Sequence, residues 1–480
     1  MKKAVFAFIL FFIVTNAFGQ NGIYNVKTFG ATGNGQTSDT KAINTAIDSA
    51  ANAGGGRVYF PAGNYLSGSI HLKSNISLYL EQGAILIATD QNPASEYDAA
   101  EQTVNMIYQD YGHSHFHDAF IWGENLHDVS ILGPGMIWGK GLLRDYKKDS
   151  PVANKSLVLY KCRNVIIKDL TFKHAGWFAI LATGVDNLTI DNVKMDTNRD
   201  GMDIDCDRNV HISNCSVNSP WDDGICLKSS FAMGFARATE NVTITNCQVS
   251  GFDEGSFLAG TYTTADSNAY RTGRIKFGTE SNGGFINIAI SNCTFDHCQG
   301  LALETEDGAL LQDVTISNIT MRNIVSAPIF LRLGARMRGP QGTPVGELHR
   351  VSISNVRVYN SNPLYACIIS GIPGHDIQDL ELNNIRIYYK GGGTTAQAQK
   401  QVPENEKSYP EPSMFGSMPS YGFYIRHVAG LKLRDVEVSY LNDDVRPAFI
   451  FDDVKGLDMH NVTGQTEKGI EVFKYINTAH

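Results

Sequence analysis

An alternation of apolar and polar positions over nine residues recurs along most of this chain. Each copy starts with Asn, Asp or a substitute and places apolar residues at its second, fourth, seventh and ninth positions, as in NLTIDNVKM from Asn187 and NVTITNCQV from Asn241. Alternation with a period of two is typical of a strand with one buried face. Similar copies begin at Asn164, Asn209, Asn287, Asp313, Arg350, Asp379 and Gly430, with looser ones at Asn75 and Asp128.

The spacing of the copies predicts how the strands pair. The copies start 23 residues apart between positions 164 and 187, 22 apart between 187 and 209, and 26 apart between 287 and 313. Strands this short must pair with the next repeat, which predicts an all-β solenoid of the parallel β-helix type. The 46-residue step from 241 to 287 is interpreted as two turns with one degraded copy. A propeller or a sandwich is the alternative, but each needs recurring antiparallel hairpins that the sequence lacks.

Polar and thiol residues also recur at fixed repeat positions. An Asn in the middle of each copy predicts a ladder of stacked side-chain amides along the solenoid axis. Cys215, Cys247 and Cys293 each follow such an Asn, so a column of small buried thiols is favoured over disulfide bridges among the eight cysteines. No Cys-x-x-Cys pair is present, and a zinc cluster has no support. The recurring Asn residues are Asn192, Asn214, Asn246, Asn292, Asn318 and Asn355.

One amphipathic helix is predicted before the repeats. The segment after Ser38-Asp39-Thr40 carries apolar residues at helical spacing, and Gly54-Gly55-Gly56 marks its end. Because a solenoid exposes an apolar end, we expect this short N-terminal helix to cap the core. The apolar positions are Ile43, Ala46, Ile47 and Ala50.

Residues 1–19 have the pattern of a secretory signal peptide. Lys2 and Lys3 precede an apolar run over 4–14, and Ala17-Phe18-Gly19 is a small-x-small cleavage site. A membrane anchor is the alternative, but the run is shorter than the roughly 20 residues that span a bilayer. We therefore expect a protein exported to the periplasm or beyond, with residues 20–480 forming a single monomeric β-helix domain.

Amino-acid composition and net charge restrict the classes of molecule that the protein is expected to bind. Charged residues make up 19% of the chain and hydrophobic residues 42%, which argues against disorder. The formal net charge of -9 makes nucleic acid an unexpected partner. An acidic polymer is still compatible, because local basic residues can bind it.

Counting 13 residues from four consecutive repeat starts reaches an aromatic residue and three acids. Trp177, Asp200, Asp222 and Glu254 are therefore predicted to form one column, with about 4.8 Å between turns. Asp223 adds a carboxylate beside Asp222. Close carboxylates raise the pKa of at least one member, and a protonated acid beside ionised neighbours suits cleavage of a glycosidic bond.

A basic pair lies one predicted turn beyond the acids. Arg274 and Lys276 share a strand face at a period of two. Arg binds carboxylates in bidentate fashion and Lys supplies a point charge, so the pair points to a sugar acid as substrate. A solvated acidic ridge and a calcium site remain the alternatives that the residues themselves leave open.

Weaker candidates lie on two other predicted strands. His113, His115 and His117 alternate on one face, as a metal site or a rim contact with sugar would require. Glu304 and Glu306 share the face of a strand beyond the basic pair and are candidate rim contacts.

With these motifs, the chain resembles the polygalacturonases of glycoside hydrolase family 28. The resemblance covers the opening YNVKTFGATGNGQTSDTKAINTAI and the segment GGGRVYFPAGNY. It also covers three active-site motifs. The family's Asn-Thr-Asp motif matches Asn198-Arg199-Asp200, its Asp-Asp pair matches Asp222-Asp223, and its Arg-Ile-Lys motif is intact at Arg274-Ile275-Lys276.

The resemblance implies a right-handed β-helix, an inverting hydrolysis and neither metal nor other cofactor. It implies that Asp222 protonates the leaving oxygen and that Asp200 and Asp223 activate water. It further implies that Arg274 and Lys276 bind a galacturonate carboxylate. The substrate contacts expected beside them are Asn198, Glu254 and Trp177.

Two departures from the family pattern affect the expected substrate. Arg199 replaces the motif's Thr, and Asp253-Glu254-Gly255-Ser256 stands where the family has Gly-His-Gly. Long insertions at 91–120 and 391–421 are expected to close one end of a groove, which favours exo action on a pectic, galacturonate-containing glycan. The alternatives are a rhamnogalacturonan-type hydrolase of the same family, a calcium-dependent pectate lyase with Arg274 as base, and a carbohydrate-binding β-helix without catalysis.

Overall fold

A computed structural model describes residues 22–91, 96–102, 106–144, 153–264 and 271–478. The predicted signal peptide at 1–19 lies outside the described residues. Within them, no helix combines the length and the apolar character needed to cross a membrane.

The described chain is almost entirely β-structure. It has helices α1 (Thr40–Asn52), α2 (Ser256–Ala259) and α3 (Thr395–Ala398), and 3-10 helices at Val26–Phe29, Tyr111–His113 and Pro412–Phe415. The strands of the first part are β1 (Ile23–Asn25), β2 (Asn34–Ser38), β3 (Gly56–Phe60), β4 (Gly63–Ser67), β5 (Ile70–His71), β6 (Ile76–Leu80), β7 (Ala84–Ala88), β8 (Ile121–Glu124), β9 (His127–Leu132), β10 (Met136–Trp138), β11 (Lys155–Tyr160), β12 (Arg163–Lys168), β13 (Thr171–Lys173), β14 (Phe178–Thr183), β15 (Asp186–Asp191) and β16 (Lys194–Asp196). Those of the second part are β17 (Asp200–Asp205), β18 (Arg208–Ser213), β19 (Ser216–Asn218), β20 (Ile225–Ser229), β21 (Thr239–Thr245), β22 (Gln248–Ser250), β23 (Ile275–Ser281), β24 (Phe285–Asp296), β25 (Leu301–Thr305), β26 (Leu310–Arg322), β27 (Ile329–Leu333), β28 (Glu347–Ser361), β29 (Cys367–Ser370), β30 (Ile377–Gly391), β31 (Phe423–Asn442), β32 (Phe449–Gly464) and β33 (Phe473–Ile476).

These strands wind into a parallel β-helix, as the repeat predicts. One sheet, which we call the first sheet, stacks β5, β8, β11, β14, β17, β20, β23, β25, β27 and β29 in parallel before it joins β31 to β33. The other strands form two further faces, and from β24 onward one long strand serves both of them. Successive turns therefore bring residues that are distant in sequence side by side on the first sheet.

The core consists of inward-facing residues stacked from turn to turn. Register joins Leu188 to Val210, Val210 to Val242 and Val242 to Ile288, and all four side chains are buried. Each such side chain contributes roughly 1.5–3 kcal/mol when it leaves water. Helix α1 caps this core as predicted, with its four apolar positions Ile43, Ala46, Ile47 and Ala50 fully buried.

The long step between positions 241 and 287 is a single turn, so the prediction of two turns is wrong. Strand β21 pairs directly with β24, with Val242 opposite Ile288. The additional residues leave the coil after β22, form α2 and return at β23. An insertion and a degraded repeat give the same spacing, which is why counting alone could not separate them.

The recurring amides form the predicted ladder in part: Asn246 donates to Asn214, and Asn292, Asn318 and Asn355 are joined in series, whereas Asn192 and Asn214 donate to Asp169 and Asp191. Asn318 donates through Nδ2 to Asn292 Oδ1 at 3.0 Å and accepts from Asn355 Nδ2 at 3.0 Å. Each of these residues has a φ near 56°, a left-handed conformation that Asn tolerates better than most residues. The repeat-start residues make a second ladder that the sequence analysis missed, from Asn164 through Asn187, Asn209 and Asn241 to Asn287.

We expect Asn318→Ala to lower the free energy of unfolding by about 1–2 kcal/mol. The change removes two hydrogen bonds of the ladder. It also places alanine, which has no side-chain amide to stabilise the left-handed conformation, at a positive φ. Asn318→Gly keeps the backbone conformation at low cost and should lose less. Urea unfolding of the three proteins tests this, and an Ala variant as stable as the wild type would contradict a stabilising ladder.

All eight cysteines lie in the described part of the chain, and each is a buried free thiol. Register pairs Gln248 with Ser216 and with Thr294, which sets the preceding residue Cys247 between Cys215 and Cys293 and confirms the predicted thiol column. The neighbouring Cys215 thiol and burial raise the pKa of Cys247 to about 12, so this thiol is inert at neutral pH.

Candidate active site

Three carboxylates converge at the edge of the first sheet. Asp200 begins β17, while Asp222 and Asp223 lie just before β20 on the next turn. Oxygens of the three side chains lie within 4.8 Å of one another. The convergence predicted from the repeat is therefore present in the structure.

The column itself is shifted by one residue from the prediction. Register pairs Phe178 with Asp200, and the pairing of Met202 with Ile225, continued back by two residues, sets Asp200 opposite Asp223. The turn before the first sheet varies in length, with 14 residues from 164 to 178, 13 from 187 to 200 and 14 from 209 to 223. A fixed count of 13 therefore selects Asp222 in place of its neighbour.

Glu254 does not belong to the acid column. It lies in the insertion before α2, where its carboxylate contacts Nδ1 of His174 and the following Gly255 N–H donates to Asp196 at 3.0 Å. Because this insertion leaves the coil, the position counted from Asn241 is no longer on the first sheet. The predicted place of Glu254 in the acid column is wrong, and the residue lines a neighbouring cavity with Trp138 and Lys173. Its contact with substrate stays a prediction.

Trp177 and Asn198 support the site from beneath and do not present an open face. Trp177 is only 8% exposed, and the Arg199 guanidinium lies over its ring at 4.1 Å. Asn198 is buried, and its Oδ1 accepts the N–H of Gly176 at 3.1 Å. Both residues were expected to contact substrate. In the structure, the Trp177 ring packs against Arg199 and positions it, and the Asn198 amide hydrogen-bonds the backbone.

The predicted basic pair reaches the acids. Ile275 points into the core, so Arg274 and Lys276 both project from the first sheet. Arg274 Nε donates to Asp223 Oδ1 at 2.8 Å, and Lys276 Nζ lies 3.4 Å from Asp223 Oδ2. Both cations are almost fully buried, and the predicted proximity of the basic pair to the acids is present.

Arg199, which replaces the family's Thr, bridges two of the acids. Its Nε donates to Asp222 Oδ2 at 3.1 Å and lies 3.6 Å from Asp200 Oδ2. Stacking on Trp177 fixes the guanidinium in this place. The departure from the motif therefore adds a cation directly beside the predicted proton donor.

The pKa values of the three acids separate in opposite directions. Burial raises the pKa of Asp200 well above its ordinary value, and the charges of Asp222 and Asp203 raise it further. Burial and the charge of Asp223 also raise the pKa of Asp222. Burial acts on Asp223 too, but Lys276 and Arg274 outweigh it and lower its pKa. The lowered pKa of Asp223 favours its carboxylate form, whereas the raised pKa values of Asp200 and Asp222 favour their protonated forms.

Solvent exposure of the side chain distinguishes Asp222 from Asp200. The Asp222 side chain is 32% exposed, whereas that of Asp200 is 6% exposed. Only Asp222 can reach a bound glycan directly with its carboxyl group. The site therefore offers an accessible acid beside a buried, ionised base, which is the division of roles that glycoside hydrolysis uses.

A second group of charges lies beneath this cluster and was missed by the sequence analysis. Asp203 of β17 lies 3.1 Å from His113 Nε2 and 3.9 Å from Lys228 Nζ, and Lys228 also contacts Glu280 at 2.9 Å. All are buried or nearly so. The outward alternation of β17 and β20 could have found Asp203 and Lys228, but His113 comes from an insertion outside the repeat.

The weaker histidine and glutamate predictions are wrong. His113 lies in a 3-10 helix, His115 stacks on Tyr111, and His117 bonds Glu124 at 2.9 Å, so the three side chains face different partners. They do not lie on a strand or gather as metal ligands. Glu304 and Glu306 are fully buried under the insertions and do not form a rim; burial raises the pKa of Glu304 to about 7.

The 391–421 insertion contributes two residues that the repeat could not locate. Glu411 contacts both terminal nitrogens of Arg274, including one contact at 3.2 Å, and its Oε1 lies 4.0 Å from Lys276 Nζ. The hydroxyl of Tyr409 accepts from Thr279 at 2.9 Å, and its ring is 5.4 Å from Lys276 Nζ. This insertion therefore borders the acid cluster on the side of the basic pair.

The three carboxylates have oxygens close enough to hold a cation. Arg199, Arg274 and Lys276 already supply positive charge at 2.8–3.6 Å from these oxygens. A divalent ion there would be repelled by three fixed cations, so the donor set fits acid–base chemistry better than calcium binding.

We expect the activity to have a bell-shaped pH profile. As pH rises through the raised pKa values of Asp200 and Asp222, these carboxyl groups lose their protons and kcat falls; as pH falls through the lowered pKa of Asp223, the base is protonated and kcat falls again. Arg199 is coupled to Asp222 across 3.1 Å and lowers the pKa of its carboxyl group, so Arg199→Met should move the alkaline limb to higher pH. Profiles of kcat/KM for both proteins test this, and superimposable alkaline limbs would contradict the coupling.

The chain resembles pectin-degrading enzymes in sequence. A family model described as rhamnogalacturonase A/epimerase, pectate lyase-like, matches residues 23–111, and one described as a right handed beta helix region matches 155–336. A probable polygalacturonase of Vitis vinifera is 27% identical over 237 residues, 45% of this chain and 47% of that protein. The exo-poly-alpha-D-galacturonosidase of Dickeya chrysanthemi is 26% identical over 279 residues, 57% of this chain and 40% of that protein.

The fold has solved counterparts. The family 28 exopolygalacturonase of Yersinia enterocolitica aligns with a TM-score of 0.68 at 20% identity, over 92% of this chain and 79% of that one. This likeness supports the predicted right-handed parallel β-helix. The sequence matches span less than half of either named relative. On its motifs and these relatives, the chain is similar to the polygalacturonases of glycoside hydrolase family 28, and its fold is a right-handed parallel β-helix.

Proposed function

We propose that the protein is a glycoside hydrolase that cleaves a galacturonosidic linkage in pectic glycan. The observation that carries the proposal is the meeting of an accessible acid, Asp222, with an ionised base, Asp223, at the edge of the first sheet. The relatives named as acting on polygalacturonate support the choice of glycan.

In this mechanism Asp222 gives its proton to the glycosidic oxygen as the bond to the leaving sugar breaks. Asp223 accepts a proton from the water that attacks the anomeric carbon. Asp200 lies behind them, where burial and the charge of Asp222 raise its pKa. The family resemblance assigns water activation to Asp200 as well. We assign the base to Asp223, because its lowered pKa keeps it ionised more readily than Asp200, whose pKa is raised.

The stereochemistry follows from where water attacks. Two carboxylates with oxygens this close are typical of retaining enzymes, which form a covalent intermediate. We propose inversion nevertheless, because Arg274 and Lys276 bind Asp223 and reduce its ability to act as a nucleophile. Proton NMR of the first product from an α-linked substrate should show the β-anomer, and an initial α-anomer would establish retention.

The insertions favour action at a chain end. Residues 106–120 contact the first sheet through His113, and the 391–421 insertion reaches it through Tyr409 and Glu411. We propose that these two insertions border the glycan-binding face and so favour binding of a chain end. We further propose that the protein is exported and acts as a monomer.

Defined oligosaccharides test this function. The protein would be incubated with galacturonate oligomers and with oligomers that alternate galacturonate and neutral sugar, and early products would be separated by size. One short product released from a chain end is expected. A random ladder would rule out exo action; unsaturated, ultraviolet-absorbing ends lost on chelation would identify a lyase; and binding without cleavage would leave a carbohydrate-binding β-helix.

A further inference from the structure

The guanidinium expected to receive a substrate carboxylate is already occupied. Arg274 Nε donates to Asp223 at 2.8 Å, and Nη1 donates to Gln299 at 2.7 Å and to Glu411 at 3.2 Å. Nη2 donates to the other oxygen of Glu411. Arg274 is 1% exposed, so the Glu411 carboxylate holds the bidentate position in which a uronic acid would otherwise bind.

The charge around the basic pair is balanced without a ligand. Lys276 Nζ lies 3.4 Å from Asp223, 3.6 Å from Glu304 and 4.0 Å from Glu411. Two cations thus face three carboxyl groups among the described residues. A further carboxylate brought to this point would meet like charges in a poorly solvated place, which opposes its binding.

The insertion holds Glu411 firmly in that position. Glu411 precedes the 3-10 helix Pro412–Phe415, and its carbonyl accepts the N–H of Met414 at 2.9 Å. Phe415 is buried, and Asn405 Nδ2 donates to the carbonyl of Met414 at 2.7 Å. The segment is held both by backbone hydrogen bonds and by a buried apolar side chain. It therefore keeps the Glu411 carboxylate in a fixed position next to Arg274.

The surface next to Glu411 suits an uncharged sugar. The residue Tyr409 is 55% exposed, and its hydroxyl accepts a hydrogen bond from Thr279. An exposed aromatic ring packs on the apolar face of a pyranose. A carboxylate beside it, with its side chain 25% exposed, accepts hydrogen bonds from hydroxyl groups.

We propose that the sugar unit bound over Tyr409 is neutral and that Glu411 is the specificity-determining residue that excludes a uronate there. This inference rests on the proposed function and refines its substrate: the cleaved linkage joins galacturonate to a neutral, hydroxyl-bearing sugar. Arg274 and Lys276 then serve to lower the pKa of Asp223 and to hold Glu411, and not to bind a substrate carboxylate.

The test compares Glu411→Gln with the wild type on two substrates of equal length. One is an all-galacturonate oligomer, and the other alternates galacturonate with a neutral sugar. We expect the wild type to favour the alternating oligomer at least tenfold in kcat/KM, and Glu411→Gln to reduce that preference at least tenfold, chiefly through a lower KM for the charged oligomer. Glu406→Gln, in the same insertion, is the matched control and should keep the wild-type ratio.

A wild type that prefers the all-galacturonate oligomer, or a Glu411→Gln variant with an unchanged ratio, would overturn the inference. Calorimetric titration measures the affinity of both oligomers for Asp222→Asn, with and without Glu411→Gln. Because binding requires no turnover, this experiment tests the exclusion of uronate separately from the proposed hydrolase function. If neither oligomer is cleaved, the proposed hydrolase fails. A tenfold gain in affinity for the charged oligomer on Glu411→Gln still supports the exclusion of uronate, and equal affinities refute it.

Discussion

Asp222→Asn should lower kcat by about a thousandfold and leave KM within a few-fold of the wild type. The asparagine keeps the shape of the side chain but has no proton to give to the leaving oxygen, and general acid catalysis contributes about 10²–10⁴ in rate. Arg199 Nε donates to Asp222 Oδ2 at 3.1 Å and the Asp223 N–H donates to Oδ1 at 3.0 Å, so the single amide oxygen of asparagine can keep one of these two hydrogen bonds. The measurement is steady-state kinetics on the oligomer that the wild type cleaves fastest.

The matched control is Asp443→Asn, an exposed aspartate near the last turns of the solenoid. Its kcat should equal that of the wild type, and thermal unfolding of both variants should occur near the wild-type temperature. An Asp222→Asn protein that is folded and retains a tenth or more of the wild-type kcat would remove Asp222 from the role of proton donor.

Arg274→Met should be the most destabilising single change at the site, with a loss of about 3–5 kcal/mol in the free energy of unfolding. The substitution removes the partner of two carboxylates, Asp223 and Glu411, in a place closed to solvent, and a buried charge left unpaired costs about that much. The methionine fills most of the volume, so the effect reports on charge more than on a cavity. Urea unfolding at neutral pH measures it.

The same change has a predictable pH dependence. Arg274 helps to lower the pKa of Asp223 in the folded state. This part of the stability is present above the ordinary pKa of an aspartate and is lost as the pH falls through the lowered value. The difference between Arg274→Met and the wild type should therefore shrink in acid.

Arg386→Met provides the comparison for an exposed pair. Arg386 lies 2.7 Å from Glu437, but both side chains are close to half exposed. Such pairs contribute less than about 1 kcal/mol, because water screens them. Equal losses for the two variants would mean that the Arg274 network does not stabilise the fold.

The repeat pattern was sufficient for the fold and for the meeting of the acids. Alternation such as that from Asn187 identifies which side chains face the core, and a near-constant winding length brings Asp200 to Asp222 and Asp223 without any three-dimensional information. The same period of two predicted that Arg274 and Lys276 would share a face. These predictions succeed because parallel pairing fixes register from turn to turn.

The failures occur where the chain leaves the repeat. Glu254 lies in an insertion before α2, so a count from Asn241 cannot locate it. Glu411 and Tyr409 belong to an insertion with no period, although they complete the site. The one-residue error at Asp222 has a different origin, because the turns between sheets vary in length while the register between paired strands is fixed. Counting along the repeat therefore locates residues on strands. Residues in the loops that cover the strands can be located only from their contacts in the structure.

The most direct test of the central claim, that these carboxylates add water across a glycosidic bond, is cleavage in ¹⁸O-labelled water. With a pectic oligosaccharide that the protein cleaves, mass spectrometry should find one ¹⁸O at each new reducing end, and the label should be absent after Asp222→Asn for the same time. Unlabelled products with an unsaturated end, or full labelling by the Asp222→Asn protein, would contradict it.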